Sequence, residues 1–161
     1  MGELTAEQIA LCRISDGSRL EGPRPTVEIN FHAGIMRNRP DIGVVLHFQS
    51  NAATTIACMQ PEKINFNAIP EIPFRIGSIG HVPYLTPGSQ ELATAVSDAM
   101  RQHNLVMLQN HGQVLVAKNY ADSIPNAVFF VLACEIILRA GQDLCPLTPE
   151  AVASLRASGR C

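Results

Sequence analysis

Three observations predict an α/β fold. Short apolar runs of strand length alternate with stretches of helical spacing, the boundaries fall at Pro, Gly and capping residues, and no segment repeats or drops to low complexity. Ile9 to Ile14 reads as a strand, with Asp16-Gly17 as its turn. From Glu28 to about Asn38 the placing of Phe31 and Ile35 suits a helix, stopped by Arg39-Pro40-Asp41. Ile42 to Phe48 is a continuous apolar run of strand length, followed by a helix of small residues from Asn51 to Met59. The Pro-rich stretches 69–73 and 81–84 bracket a short extended segment through Ile76. Ser89 caps a helix whose Leu92, Val96, Met100 and His103 share one face. Leu105 to Leu108 and Gln113 to Ala117 read as strands on either side of the tight turn Asn110-His111-Gly112. A long helix runs to about Ala140 and is closed by Gly141, with Pro125 in or near its first turn. A last helix spans Thr148 to about Ala157, with Thr148 as N-cap and Pro149 at the first helical position.

Composition sets the outer limits. A chain of 161 residues, 47% apolar and 16% charged, has enough apolar material for one core, so a single domain over 1–161 is expected. A net charge of -2 offers no basic footprint for nucleic acid. No apolar run is expected to cross a bilayer, and Met1-Gly2-Glu3-Leu4 does not read as a signal peptide. The five cysteines are odd in number and scattered, with no Cys-x-x-Cys, as reduced thiols of a cytoplasmic protein would be.

The residues able to do chemistry fall in three contexts. Glu28 opens a helix, where the dipole stabilises its ionised form. His47 ends an apolar strand, the place in an α/β sheet where side chains emerge toward a crevice. His111 sits in a turn that Gly112 allows to bend sharply. Singly, each reads as a structural residue: a capping glutamate, a satisfied strand-end histidine, a turn histidine bonded to backbone. Together, a carboxylate and imidazoles from separate segments suit a metal-assisted carbanion enzyme, in which a metal withdraws electrons from a carbonyl and the carboxylate moves the proton. Gln49 emerges on the same side of the strand as His47. Its neutral amide is a poor zinc donor, which implies a weakened site, a harder ion or no ion. His32 reads as a packing histidine outside the metal set, His81 as a loop residue and His103 as a helix-end residue suited to the negative dipole.

These motifs, in this order, resemble the class II aldolase/adducin-head family. The resemblance runs from Asp16-Gly17 through Pro25-Thr26-Val27-Glu28, Phe31-His32, Arg39-Pro40-Asp41 and Val44-Val45-Leu46-His47. It continues through Val82-Pro83-Tyr84, Gly88-Ser89-Gln90-Glu91-Leu92 and Leu108-Gln109-Asn110-His111-Gly112 to the helix ending near Ala140. It implies one three-layer α/β/α domain with a mixed, mainly antiparallel central sheet. It also implies a divalent metal, zinc in the family, with His47, Gln49 and His111 at the metal positions. Glu28 takes the acid/base position, from which the family's glutamate also binds the metal when substrate is absent. Thr26 keeps one hydroxyl of a serine pair that contributes to phosphate binding.

The implied reaction is a reversible aldol cleavage of a small hydroxyketone or sugar phosphate through an enediolate, in a homotetramer active in carbohydrate metabolism. Four departures stand beside this. Gln49 replaces a histidine, and Val27 replaces a serine. The family's N-terminal helices and phosphate-cradling loop find no counterpart before the matching motifs, and Ser158 stands near the place of a C-terminal tyrosine. Tyr84 reads as architectural. Two functions follow as expectations: a metal-dependent aldolase-type lyase, or a non-catalytic aldolase-like scaffold with a degenerate metal site.

Overall fold

The computed structural model describes residues 4–159. Its centre is a four-stranded sheet. β3 (Val44–Phe48) pairs antiparallel with β6 (Gly112–Ala117), β6 antiparallel with β5 (Leu105–Leu108), and β5 parallel with β4 (Ile79–Val82). The order β3-β6-β5-β4 makes the sheet mixed and mainly antiparallel, with the carboxyl ends of β3, β4 and β5 along one edge. Every residue of β5 and β6 is buried, so β5 and the stretch 114–117 of β6 are continuous apolar runs rather than alternating ones.

Alternation along those central strands divides the core in two. Leu105, Met107, Leu115 and Ala117 face one side, where Ala53, Ile56 and Ala57 of α2 (Asn51–Ala57) and Phe130, Ala133, Cys134 and Ile137 of α4 (Tyr120–Ala140) pack on them. Val106, Leu108, Val114 and Val116 face the other side. They meet Phe31 and Ile35 of α1 (Ile29–Asn38) and Leu92, Ala93 and Val96 of α3 (Gln90–Ala99). Helices on both faces complete the three-layer α/β/α domain. Ser50, Ser89, Asn119 and Thr148 each accept a bond from a backbone N–H three residues on, and so start α2, α3, α4 and α5 (Pro149–Ser158), at Ser89 and Thr148 as the sequence predicts.

The Arg39-Pro40-Asp41 motif is a clamp. The Arg39 guanidinium grips Asp41 with two bonds of 2.9 and 2.8 Å, and donates to Met100 O at 2.8 Å and Asn104 Oδ1 at 3.0 Å. It thereby ties the end of α1 to the turn between α3 and β5. Those bonds hold the Asp41 carboxyl below its ordinary value.

Five expectations are corrected. The strand expected over 9–14 shrinks to β1 (Leu11–Cys12), paired with β2 (Arg19–Glu21) in a separate ribbon, because the chain already turns at 14–16 and Gly17 N–H bonds back to Arg13 O at 2.8 Å. The segment expected to be extended coils instead into one wide helical turn, Ile72–Ile76, closed by Gly77 N–H to Ile72 O at 2.9 Å; Pro73 fits its first turn, where a missing N–H costs nothing. His81 lies on β4, not in a loop. His103 lies beyond α3, which stops at Ala99, and its Nδ1 sits 2.9 Å from Ser78 Oγ at the approach to β4. Finally, the stretch Tyr120–Asp143 is long and apolar enough to cross a membrane by length and composition. Its fully buried Phe130, Ala133 and Cys134 make it a core helix, packed on the sheet.

Candidate metal centre

β3 aims His47 at the helical layer of α1. His47 pairs with Val114, so both side chains stand on the face where Phe31 packs, and the His47 ring meets Phe31 edge-on at 5.5 Å between centroids. Glu28 is the residue from which α1 starts, and it is only 7% exposed. Its backbone N–H donates to Thr26 Oγ1 at 3.3 Å, so the Thr26 hydroxyl helps shape the approach to the helix. The three-residue turn between β5 and β6 carries His111. Leu108 O accepts from His111 N at 3.1 Å, and Asn110 holds φ +55°, the positive value that a type II turn requires at its third residue.

These three elements converge at the carboxyl edge of the sheet. Glu28 Oε2 lies 3.1 Å from His47 Nε2, and Glu28 Oε1 lies 3.3 Å from His111 Nε2. One donor atom from each of the three residues falls within 4.8 Å of the other two. His32 is outside this group: it stacks on Phe31 at 4.6 Å, and burial, then the neighbouring His47, lower its pKa to about 4.

The hydrogen bonding identifies which atoms are free. His47 Nδ1 lies 2.9 Å from Gln113 O. A carbonyl only accepts, so Nδ1 carries the proton. In the neutral ring the Nε2 lone pair then faces a carboxylate oxygen, and two electron-rich atoms at that distance need a proton or a cation beside them. Glu28 Oε1 is buried and makes no hydrogen bond, although His111 Nε2 lies 3.3 Å away, and His111 Nδ1 is likewise buried without a hydrogen-bond partner. Burial lowers the pKa of His111, with Glu28 opposing and His47 adding to the effect. Two imidazole nitrogens and a buried carboxylate with an unbonded oxygen are a donor set that fits a divalent metal ion.

Gln49 stands beside this cluster. Its amide Nε2 donates to His111 O at 2.7 Å, and its Cγ packs against Gly112, where an added Cβ would come within 2.9 Å. Gln113 is a residue that the sequence reading missed. It is fully buried, its carbonyl orients His47, and its amide lies between two backbone groups. With its nitrogen toward Phe48 O and its oxygen toward Thr54 N, the two contacts are 3.1 and 3.3 Å. The available signal was a lone polar residue at the head of the apolar run 113–117.

Residues 1–138 match the family described as the Class II Aldolase and Adducin N-terminal domain, so the chain belongs to that family. It is 30% identical over 129 residues to the 3-oxo-tetronate 4-phosphate decarboxylase of Pectobacterium atrosepticum, a match covering 78% of this chain and 59% of that one. It is 31% identical over 123 residues to the L-fuculose phosphate aldolase of Methanococcus maripaludis, covering 76% of this chain and 65% of that one. In neither case does the match reach two thirds of the relative's length. The fold superimposes on that of YgbL, a putative aldolase/epimerase/decarboxylase from Escherichia coli, with a TM-score of 0.88, 25% identity, and coverage of 96% of this chain and 76% of that one.

Proposed function

We propose that this chain is a metal-dependent, aldolase-type lyase that breaks or forms a carbon–carbon bond beside a carbonyl in a small hydroxyketone or sugar, phosphorylated or not, through an enediolate. The observation that carries the proposal is the buried Glu28 carboxylate within 3.3 Å of two imidazole nitrogens from separate segments, one of its oxygens without a hydrogen bond. His47 and His111 would hold a divalent metal, zinc by analogy with the family, and Glu28 would complete the set before substrate enters. A bound divalent ion would polarise the substrate carbonyl and stabilise negative charge on its oxygen.

The protein's own groups do the rest. His47 is held in one tautomer by the Gln113 carbonyl, so its Nε2 stays directed at the site. Glu28 accepts or returns the proton, since it is the carboxylate of the cluster and its Oε1 makes no hydrogen bond. Thr26, exposed at the entrance to α1, offers a hydroxyl to the distal part of a substrate. The names of both relatives fit this chemistry. Loss of carbon dioxide from a 3-oxo acid and cleavage of an aldol each leave an electron pair on the carbon next to a ketone. Assembly as a homotetramer in the cytoplasm belongs to the same proposal.

The test is an assay of short hydroxyketones, their phosphates and 3-oxo acids with the metal-loaded chain. Glu28→Gln should lower turnover about 10²–10⁴-fold while leaving metal bound through His47 and His111. Absence of cleavage and of decarboxylation in every class, with metal bound, would leave the non-catalytic scaffold as the better reading.

A further inference from the structure

Gln49 occupies a family metal position, yet its amide is committed elsewhere. The Nε2 bond to His111 O joins the end of β3 to the turn that carries His111. That turn contains a non-glycine residue at positive φ, so the direction of the imidazole depends on what holds the turn. On one side it is tied to the end of α2 through Asn110 N–H to Ala57 O at 2.9 Å, and to the residues just beyond it through the Gln109 amide to Met59 O at 3.2 Å. Gln49 supplies the tie on the other side, from the strand that carries His47. The donor set of Glu28, His47 and His111 is gathered within 4.8 Å without it.

Resting on the metal-lyase reading above, we propose that Gln49 is a positioning residue and not a ligand. It holds His111 in register with His47, so that Glu28, His47 and His111 would supply the donors for an ion at this centre.

Co2+ added to the chelator-stripped full chain tests this without any assay of turnover, by visible absorption and calorimetric titration. The ligand-field bands of wild type set the reference for the variants. Gln49→Met should keep those bands, because the ligands are unchanged, while affinity falls about tenfold or more as the tie to His111 is lost. Gln49→His should shift and intensify the bands by adding an imidazole. A band shift in Gln49→Met would overturn the proposal, and so would a Gln49→Met protein with unchanged affinity. Circular dichroism checks folding, and Gln49→Asn, too short to reach His111, carries the same expectations if the Met variant does not fold. A wild-type chain that binds no Co2+ would sink the proposed function itself, and this inference with it.

Discussion

Gly112 has no side chain because three groups of the site press against its Cα. A Cβ there would lie 2.9 Å from Gln49 Cγ, 3.0 Å from Phe48 O and 3.4 Å from His47 Cε1. Gln49 can swing aside, but the Phe48 carbonyl is pinned in the sheet. Gly112→Ala should therefore push β3 from the turn, destabilise the protein by about 1–3 kcal/mol in urea unfolding, and weaken metal binding. His32 yields a pH prediction. Burial, then His47, keep it neutral down to about pH 4, whereas an unfolded histidine titrates near 6.5. Between those values the unfolded chain binds more protons, so this contribution is complete above 6.5 and is lost as pH falls toward 4. Metal-free wild type should lose up to about 3 kcal/mol more than His32→Gln across that window, read from denaturation midpoints.

Among the elements, α1 shows how a helix can serve packing and chemistry at once. Its buried Phe31 and Ile35 seat it on the sheet, its first residue follows Glu28, and its last turn is anchored by Arg39. Lysine cannot reproduce the fork of bonds to Asp41, Met100 and Asn104. Arg39→Lys should cost about 1–3 kcal/mol, because the Met100 carbonyl and Asn104 lose a charged donor. An unchanged urea midpoint would show the clamp to be idle. Several element boundaries were legible because local chemistry sets them: the hydroxyl caps Ser89 and Thr148 for α3 and α5, Gly141 at the end of α4. β4 was not legible, since Gly80, His81 and a following Pro83 resemble a loop and the strand exists only through its pairing with β5.

At the scale of the molecule, one exposed surface stands out. Tyr120, Ile124, Val128 and Leu132 recur every four residues along α4 and are 76%, 54%, 60% and 43% exposed. α4 is apolar on the face it buries and on this one as well. A homo-oligomer of the kind proposed would cover the stripe. Val128→Lys should then shift the species seen by light scattering toward monomer, whereas a monomeric wild type at micromolar concentration would remove the stripe from the argument.

The sequence alone pointed to the α/β class, the caps Ser89 and Thr148, the turn at 110–112, and the residues Glu28, His47 and His111, because hydrophobic period and capping chemistry are written within a few residues of one another. Only the tertiary structure decided what those residues do to each other. The 3.1 and 3.3 Å approaches join positions 28, 47 and 111, which are brought together by strand pairing rather than by spacing along the chain. The same pairing buries Gln113 and turns the Gln49 amide onto the His111 carbonyl. A side chain's partner across a sheet depends on register, and register is a property of the folded whole.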